Sequence, residues 1–183
     1  QSDDIVVVEF GEKSVEKYGQ WPFDRRDIAG VIQKLRANGA GVIVAPILFG
    51  EKDRSGHDAE LVQTLKDNGV VIAQVPTVQN NRPDAARRGF AAIGGDPRDY
   101  VYQWPGAIPP LPDLATAADG VGVLATVSER DGVVRRLPML VNIGNELYPS
   151  LVLESIRVAA DDISYQVKVT EAGVEAVRIP KFK

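Results

Sequence analysis

Residues 121–141 read Val-Gly-Val-Leu-Ala-Thr-Val-Ser-Glu-Arg-Asp-Gly-Val-Val-Arg-Arg-Leu-Pro-Met-Leu-Val. Two apolar runs flank a polar segment ending in Asp131-Gly132. This pattern predicts a β-hairpin, because glycine readily adopts the positive φ of a tight reversal. Arg135 and Arg136 would then point to opposite faces of a sheet. Either both reach water from a strand end, or one pairs with Asp131 or a carboxylate on a neighbouring strand. Pro138 cannot donate to a ladder, so we expect an edge, a bulge or a strand break there.

Upstream of this stretch, strand-like and helix-like patterns alternate. The predicted elements are a strand at 5–10, a short helix at 11–18, a helix from Asp24 to Asn38, a strand at 41–49, a helix at 58–67 and a strand at 70–75. The strands are almost wholly apolar, which is typical of strands covered on both faces. We therefore predict a parallel βαβαβ unit with right-handed crossovers. Ala45-Pro46 interrupts the second of these strands, so we expect it to end early or bulge.

The second half of the chain is less regular. Residues 79–112 are rich in proline, glycine and charge, and allow a short helix at 85–92 and an edge strand or extended loop at 100–104. Further elements are predicted as a helix at 111–118, a helix from Tyr148-Pro149-Ser150 to Ala160, and two strands at 164–170 and 174–179. The predicted fold is α/β: a mixed sheet with an N-terminal parallel βαβαβ part, a later antiparallel hairpin part, and helices packed on the faces. We expect residues 1–183 to form a single domain.

Composition excludes several functions. A net charge of −4 argues against nucleic-acid binding, because there is no basic excess to neutralise phosphates. The absence of cysteine excludes disulfides, thiolate nucleophiles and cysteine-ligated metals, and the one histidine excludes a multi-histidine metal site. We expect no cofactor and no metal. No apolar run approaches the roughly 20 residues that cross a bilayer. Since the sequence starts at Gln1 and is strand-like by Ile5, we interpret it as a domain cut from a longer protein.

A candidate ligand site lies at the carboxyl ends of the predicted parallel strands, where ligands gather in open α/β sheets. Trp21, Phe23 and Arg25 follow the first strand, and Phe49 and Glu51 end the second. We predict that these five side chains wall one crevice. Alternatively, Trp21 and its neighbour Pro22 cap the hydrophobic core at the entry of a helix.

His57 is the other residue with chemical potential. It lies among Glu51, Asp53 and Asp58, which are too few suitable ligands to favour a metal site. No serine occupies a nucleophile-elbow setting, so catalysis of the serine-hydrolase type is not favoured. We predict no catalytic residue in this chain. The alternative is a small α/β hydrolase using the crevice around Trp21, Phe49 and His57.

Two motifs resemble those of a known family. They are Trp21-Pro22-Phe23-Asp24-Arg25 and Asp131-Gly132-Val133-Val134-Arg135-Arg136-Leu137-Pro138, followed by Tyr148-Pro149-Ser150-Leu151. In this order and spacing the chain resembles CHASE2, the extracytoplasmic sensory domain of bacterial adenylate cyclases, diguanylate cyclases, histidine kinases and serine/threonine kinases. It departs from the family where aspartates are common: it has Glu9-Phe10-Gly11 after the first strand and Ala45-Pro46 in the second.

The resemblance implies the input domain of a membrane-bound signalling receptor. Such a domain lies outside the cytoplasmic membrane, is tethered to it, and controls a cytoplasmic output domain in the same parent chain, most simply an adenylate cyclase or a kinase. The stimulus, a small molecule or a physical signal, is not implied. A homodimer is expected, because output domains such as class III cyclases work as dimers. A dimerisation or interaction module with no small ligand is the further alternative.

Overall fold

The computed structural model describes residues 4–79, 89–126 and 130–182. Within these residues the fold is mixed α/β. The helices are α1 Glu12–Tyr18, α2 Arg25–Ala37, α3 Asp58–Leu65, α4 Pro112–Ala117 and α5 Leu151–Ala159, with a 3-10 turn at Pro97–Asp99. The strands are β1 Ile43–Leu48, β2 Val70–Thr77, β3 Gly89–Ile93, β4 Gln103–Trp104, β5 Gly106–Ile108, β6 Gly120–Val123, β7 Leu140–Ile143, β8 Glu146–Pro149, β9 Ser164–Thr170 and β10 Gly173–Arg178.

The central strand is β2. It lies parallel to both β1 and β6, and its last three residues pair antiparallel with β5. Residues 70–73 are fully buried, as the unbroken apolar sequence predicts for a strand covered on both faces. On one face, Val70 and Ile72 pack in a cluster with residues of α2, α3 and α4; on the other, Val71 and Ala73 contact Leu151 of α5. The expected irregularity at Pro46 is confirmed as a register shift between Ala45 and Leu48.

Two smaller sheets complete the architecture. One has the order β4-β7-β8, and the other has the order β10-β9-β3. The antiparallel β9–β10 pair is the predicted C-terminal pair of strands. A single parallel bridge between Val123 and Ser150 connects the end of β6 to the start of α5. The two sheets share a hydrophobic boundary in which Leu140 packs with Tyr165 and Val167.

The predicted first strand is wrong. Residues 5–10 join no ladder, and Ile5, Val6 and Val7 are 74%, 81% and 87% exposed. The reason lies in the sheet. The third parallel strand is β6, from much later in the chain, and β2 is already paired with β1 and β6. The parallel unit is therefore built from two predicted strands and one arm of the predicted hairpin.

The predicted hairpin is also wrong. β6 ends at Val123 and pairs with β2, residues 132–138 form no strand, and the second arm resumes only at Leu140 as β7, which pairs with β8 and β4. For residues 120–123, burial beside β2 outweighs the local turn signal of Asp131-Gly132. Pro138 has no N–H to donate to a neighbouring strand. Its predicted role as a strand break is confirmed. The tip at 127–129 lies outside the described residues.

Two local predictions also need correction. Pro149 was expected in the first turn of a helix, but it ends β8 opposite Leu140, and Ser150 caps α5 instead. The helix expected at 85–92 is contradicted at 89–92, which belong to β3; residues 80–88 are not described. Here pairing with β9 overrides the weak helical pattern.

Candidate functional site

Arg25 is the hub of the predicted crevice. It is the first residue of α2, only 6% exposed, and its guanidinium carbon lies 4.6 Å from the centre of the Phe49 ring. Its Nη2 donates to the Glu51 carbonyl at 3.0 Å, and its Nε donates to Asp58 Oδ1 at 3.4 Å. Arg25 thus joins the start of α2, the end of β1 and the start of α3. Its charge is balanced by Asp58, which also accepts the Asp53 N–H at 3.0 Å.

Aromatic rings form the outer part of the same region. Phe23 is buried, and its ring centre lies 5.3 Å from that of Trp21, 5.4 Å from that of Phe10 and 6.2 Å from that of Tyr18. Trp21 is half exposed. Phe23 therefore closes the core beside α2, whereas Trp21 and Pro22, the pair expected as an alternative to cap the core, are both exposed. The Trp21–Pro22 peptide bond is cis.

The structure brings the five predicted ligand-binding residues into two groups. Phe23, Arg25 and Phe49 are buried, so they shape and position the region. The Trp21 ring and the Glu51 side chain are accessible, and Glu51 uses only its backbone carbonyl to bind Arg25. A ligand at this surface would therefore contact Trp21 and Glu51 first. Ligand binding by these residues remains a prediction.

His57 lies beside the crevice in a cluster with Asp24 and Asp53. Its Nδ1 is 2.9 Å from Asp24 Oδ1 and 3.7 Å from Asp53 Oδ2, and its backbone N–H donates to Asp53 at 3.0 Å. Asp24 is also the N-cap of α2 and accepts the Arg26 N–H at 2.8 Å. In the described residues this is the only group of three side chains spaced to hold a metal ion. All three are already hydrogen-bonded, and the arrangement ties the entries of α2 and α3 together.

The electrostatics of Asp24 follow from these contacts. Burial raises the pKa of its carboxyl, but hydrogen bonds from Arg26 and Ser55 and the adjacent His57 outweigh burial, so the pKa lies below its usual value. A histidine paired with a carboxylate is two thirds of a hydrolase triad. Within the described chain, however, no serine or threonine hydroxyl hydrogen-bonds His57.

The second motif forms a local clasp on the surface. Asp131 accepts two hydrogen bonds from the Arg135 guanidinium, at 3.1 and 2.8 Å, and one from the Val133 N–H at 3.1 Å. Gly132 between them has φ +81°, the turn conformation that its position predicts. The Arg135 guanidinium lowers the pKa of Asp131. The predicted Asp131 pairing is confirmed, but no sheet surrounds it, and Arg136 is exposed.

A buried polar network joins the sheets to the C-terminal residues. Arg157 donates to both carboxylate oxygens of Glu154, at 3.0 and 2.8 Å, to the Asp119 carbonyl at 2.7 Å and to the Asp162 carbonyl. Tyr165 donates to Glu154 from the neighbouring strand, and burial raises the pKa of its phenol. Asp162 accepts the backbone N–H of Lys181 at 2.7 Å, which fixes residues near the C-terminus to α5.

Sequence reasoning missed several of these residues. The sequence places Asp24 only at the start of a helix and Asp58 only as a neighbour of His57. Both are 33 positions from their partners in the crevice, so no local pattern reveals the pairing. Glu154 and Arg157 did carry a signal, since opposite charges at i and i+3 of a helix predict contact between the two side chains.

Comparison with known proteins agrees with the resemblance. The family model described as CHASE2 domain matches residues 1–182, essentially the whole chain. CHASE2 domains are extracellular, non-catalytic sensory domains of receptors. Neither the comparison with curated proteins nor that with solved structures finds a match. No helix among the described residues is both long and apolar enough to cross a lipid bilayer.

Proposed function

The chain belongs to the CHASE2 family of receptor sensory domains, and from that premise we propose that residues 1–183 act as one extracytoplasmic input unit of a membrane-bound bacterial receptor. The unit responds to a small molecule or physical stimulus and controls a cytoplasmic adenylate cyclase or kinase domain in the same parent chain. The family match carries this proposal. Catalysis belongs to the output domain.

The stimulus acts at the crevice around Arg25. This proposal rests on the position of the crevice at the carboxyl end of β1, on the accessible Trp21 ring and Glu51 carboxylate, and on a rigid buried base made by Arg25 and Phe49. A stimulus transmits a signal only if it stabilises one arrangement of the domain more than another. Arg25 would couple binding at the rim to the rest of the fold, because it joins the start of α2 to the residues after β1 and to the start of α3.

The signal leaves through the C-terminal network. β6 pairs with β2 and approaches α5 at Glu154, whose Oε1 lies 2.7 Å from the position that a Cβ on Gly120 would take. Arg157 and Asp162 extend that contact to Lys181. A shift of the sheet against α5 would therefore move Lys181 and its neighbours.

A homodimer is the assembly we propose. The apolar side chains of Ile5, Val6 and Val7 are exposed next to one another, and contiguous exposed apolar patches mark contact surfaces between proteins. A second copy of the chain covers them. Val6→Thr and Val7→Thr keep side-chain size but add hydroxyls, so the double variant should weaken the dimer at least tenfold in sedimentation equilibrium. Val78→Thr, at a valine that is 80% exposed elsewhere, is the matched control and should leave association unchanged.

A thermal-shift screen of metabolites and metal ions against the chain tests the sensory proposal. Saturable stabilisation that Trp21→Ala weakens supports ligand sensing at the crevice. If no compound stabilises the chain and association is concentration-dependent, the interaction-module alternative gains. Hydrolysis of a generic ester that disappears in His57→Gln would replace the proposal by the hydrolase alternative.

A further inference from the structure

Gln74 is a polar residue in the interior of the fold. It lies on β2, the central strand, and is 0% exposed. In the described chain neither its Oε1 nor its Nε2 has a hydrogen-bond partner. Burying an amide without hydrogen bonds is unfavourable, and buried polar groups in folded proteins are nearly always paired. A group from outside the chain is therefore expected at this side chain.

Gln74 borders a small apolar cluster that is separate from the cluster under the crevice. In the parallel register Gln74 lies opposite Val123, so both side chains are on the same face of the sheet. The cluster consists of Ala107, Val123, Ala125, Val141, Ile143 and Tyr148. Trp104 packs against it, and its Nε1 is also buried without a hydrogen-bond partner among the described residues. Two unpaired polar groups thus adjoin one cluster.

Strands surround this cluster. β4 and β5 are separated only by Pro105, and they pair with β7 and β2 respectively. Val123 is the last residue of β6, so the cluster lies at the carboxyl end of a parallel strand, where α/β sheets bind ligands. Ala107 and Ala125 contribute short side chains. Small-molecule sites are lined mainly by apolar side chains with a few polar groups, which is the composition found at this cluster.

Asn142 is a third buried side chain without a partner in the described residues, but it belongs to a different environment. It alternates along β7 with Val141 and Ile143, which are members of the cluster, so it points to the opposite face. It has the same orientation as Leu140, which packs against Tyr165 and Leu153. Asn142 is therefore not part of the site.

The donor set defines the ligand. Gln74 offers one acceptor oxygen and two N–H donors, and Trp104 offers one N–H donor. The cluster contains no charged side chain, so an ionised ligand would be buried without a counter-charge. We propose that Gln74 and Trp104 form an enclosed site for a small uncharged molecule that carries an acceptor oxygen and an N–H or O–H donor, as primary amides and alcohols do.

The chain provides its own reporter. It has two tryptophans, Trp21 and Trp104. In a Trp21→Phe background Trp104 is the only one, and its emission reports on the proposed site. The probes are acetamide, propionamide and isopropanol, with acetate and methylammonium as charged counterparts. The site predicts a saturable change in Trp104 emission and a raised Tm with at least one uncharged probe, and no saturable change with either ion.

Gln74→Leu separates a binding role from a packing role. The variant should raise the Tm of the free protein, because it removes an unpaired buried amide of similar size, and it should reduce the probe response at least tenfold in apparent affinity. If Gln74→Leu does not fold, Trp104→Phe, which keeps a ring and removes the N–H, should show the same loss by thermal shift.

Three results would overturn the inference: no saturable response to any uncharged probe, an equal response in Gln74→Leu, or a crystal structure with ordered water alone on both side chains. This site goes beyond the proposed function, because it adjoins a different apolar cluster from the one under the Arg25 crevice, and the binding test needs no output domain. A chain that binds these probes but does not signal would support the site and contradict the receptor role. A chain that signals but binds none of the probes would contradict the site and support the receptor role.

Discussion

Replacing Arg25 by methionine tests whether this residue holds the crevice together. The substitution removes the hydrogen bond to the Glu51 carbonyl, the cation–π contact with Phe49 and the ion pair with Asp58, while it retains an unbranched apolar chain. Removing one partner of a fully buried ion pair costs about 3–5 kcal/mol. Asp58 remains a quarter exposed and keeps the Asp53 N–H, so we expect about 2–4 kcal/mol.

This loss of stability is measurable in two ways. For a chain of this size, about 2–4 kcal/mol lowers the Tm by about 4–16 °C. Urea unfolding should show a lower midpoint with an unchanged m-value. Arg26→Met is the matched control: the neighbouring side chain is 61% exposed and lies 3.5 Å from Asp24, and such a pair contributes less than about 1 kcal/mol.

The reasoning would be refuted if Arg25→Met unfolded within about 0.5 kcal/mol of the parent, the range of ordinary surface substitutions. In that case the buried contacts of Arg25 would not stabilise the domain. If such a variant also lost the response to a stimulus, Arg25 would contact the ligand directly and the division between buried base and accessible rim would be wrong.

Three further substitutions follow from the same geometry. Hydrogen bonds from the N–H groups of Lys181, Ile163 and Ser164 lower the pKa of Asp162 below 3.8. The stability that Asp162 contributes is therefore present above its unfolded pKa and is lost as the pH falls through its folded pKa. Asp162→Asn should reduce the loss of Tm below about pH 4, while the control Asp161→Asn, at a fully exposed carboxylate, should not. Gly122→Ala would place a Cβ 2.4 Å from Leu151 Cα and should lower the free energy of unfolding in urea by about 3 kcal/mol. The control Gly30→Ala, which has open space on helix α2, should instead raise it by up to about 1 kcal/mol. Equal effects of the two substitutions would contradict the packing of β6 on α5. Asp131→Asn removes the charge from an exposed pair and should leave the midpoint of urea unfolding close to that of the parent, so a large drop in the midpoint would contradict the surface position of this pair.

Local chemistry in the sequence was enough to place α2. Asp24 and Asn38-Gly39 bound α2, and the stripe of Ile28 and Ile32 faces the core. The side-chain caps and apolar periodicity act within a few residues, so they can be read without the fold. The same holds for the β9–β10 pair, whose alternating pattern and turn are adjacent.

Pairing between distant segments was not predictable in this way. Residues 5–10 and 121–124 have equally good strand sequences, and only the second pairs with β2. That choice depends on which segment can also seat against α5, where Gly122 lies close to Leu151. The crevice shows the same limit: its aromatic and arginine residues were found from one motif, whereas Asp58 and Asp24 reach it through the packing of α3 against α2.

The most direct test of the receptor account is the output of a membrane-inserted fusion. The chain would be joined through a transmembrane helix to a class III adenylate cyclase domain, and cyclic AMP would be measured with and without a compound that stabilises the isolated chain. The account predicts a change in cyclic AMP that follows the compound's binding curve and is reduced in Trp21→Ala. Cyclic AMP that stays constant while the domain is saturated with a bound compound would contradict it.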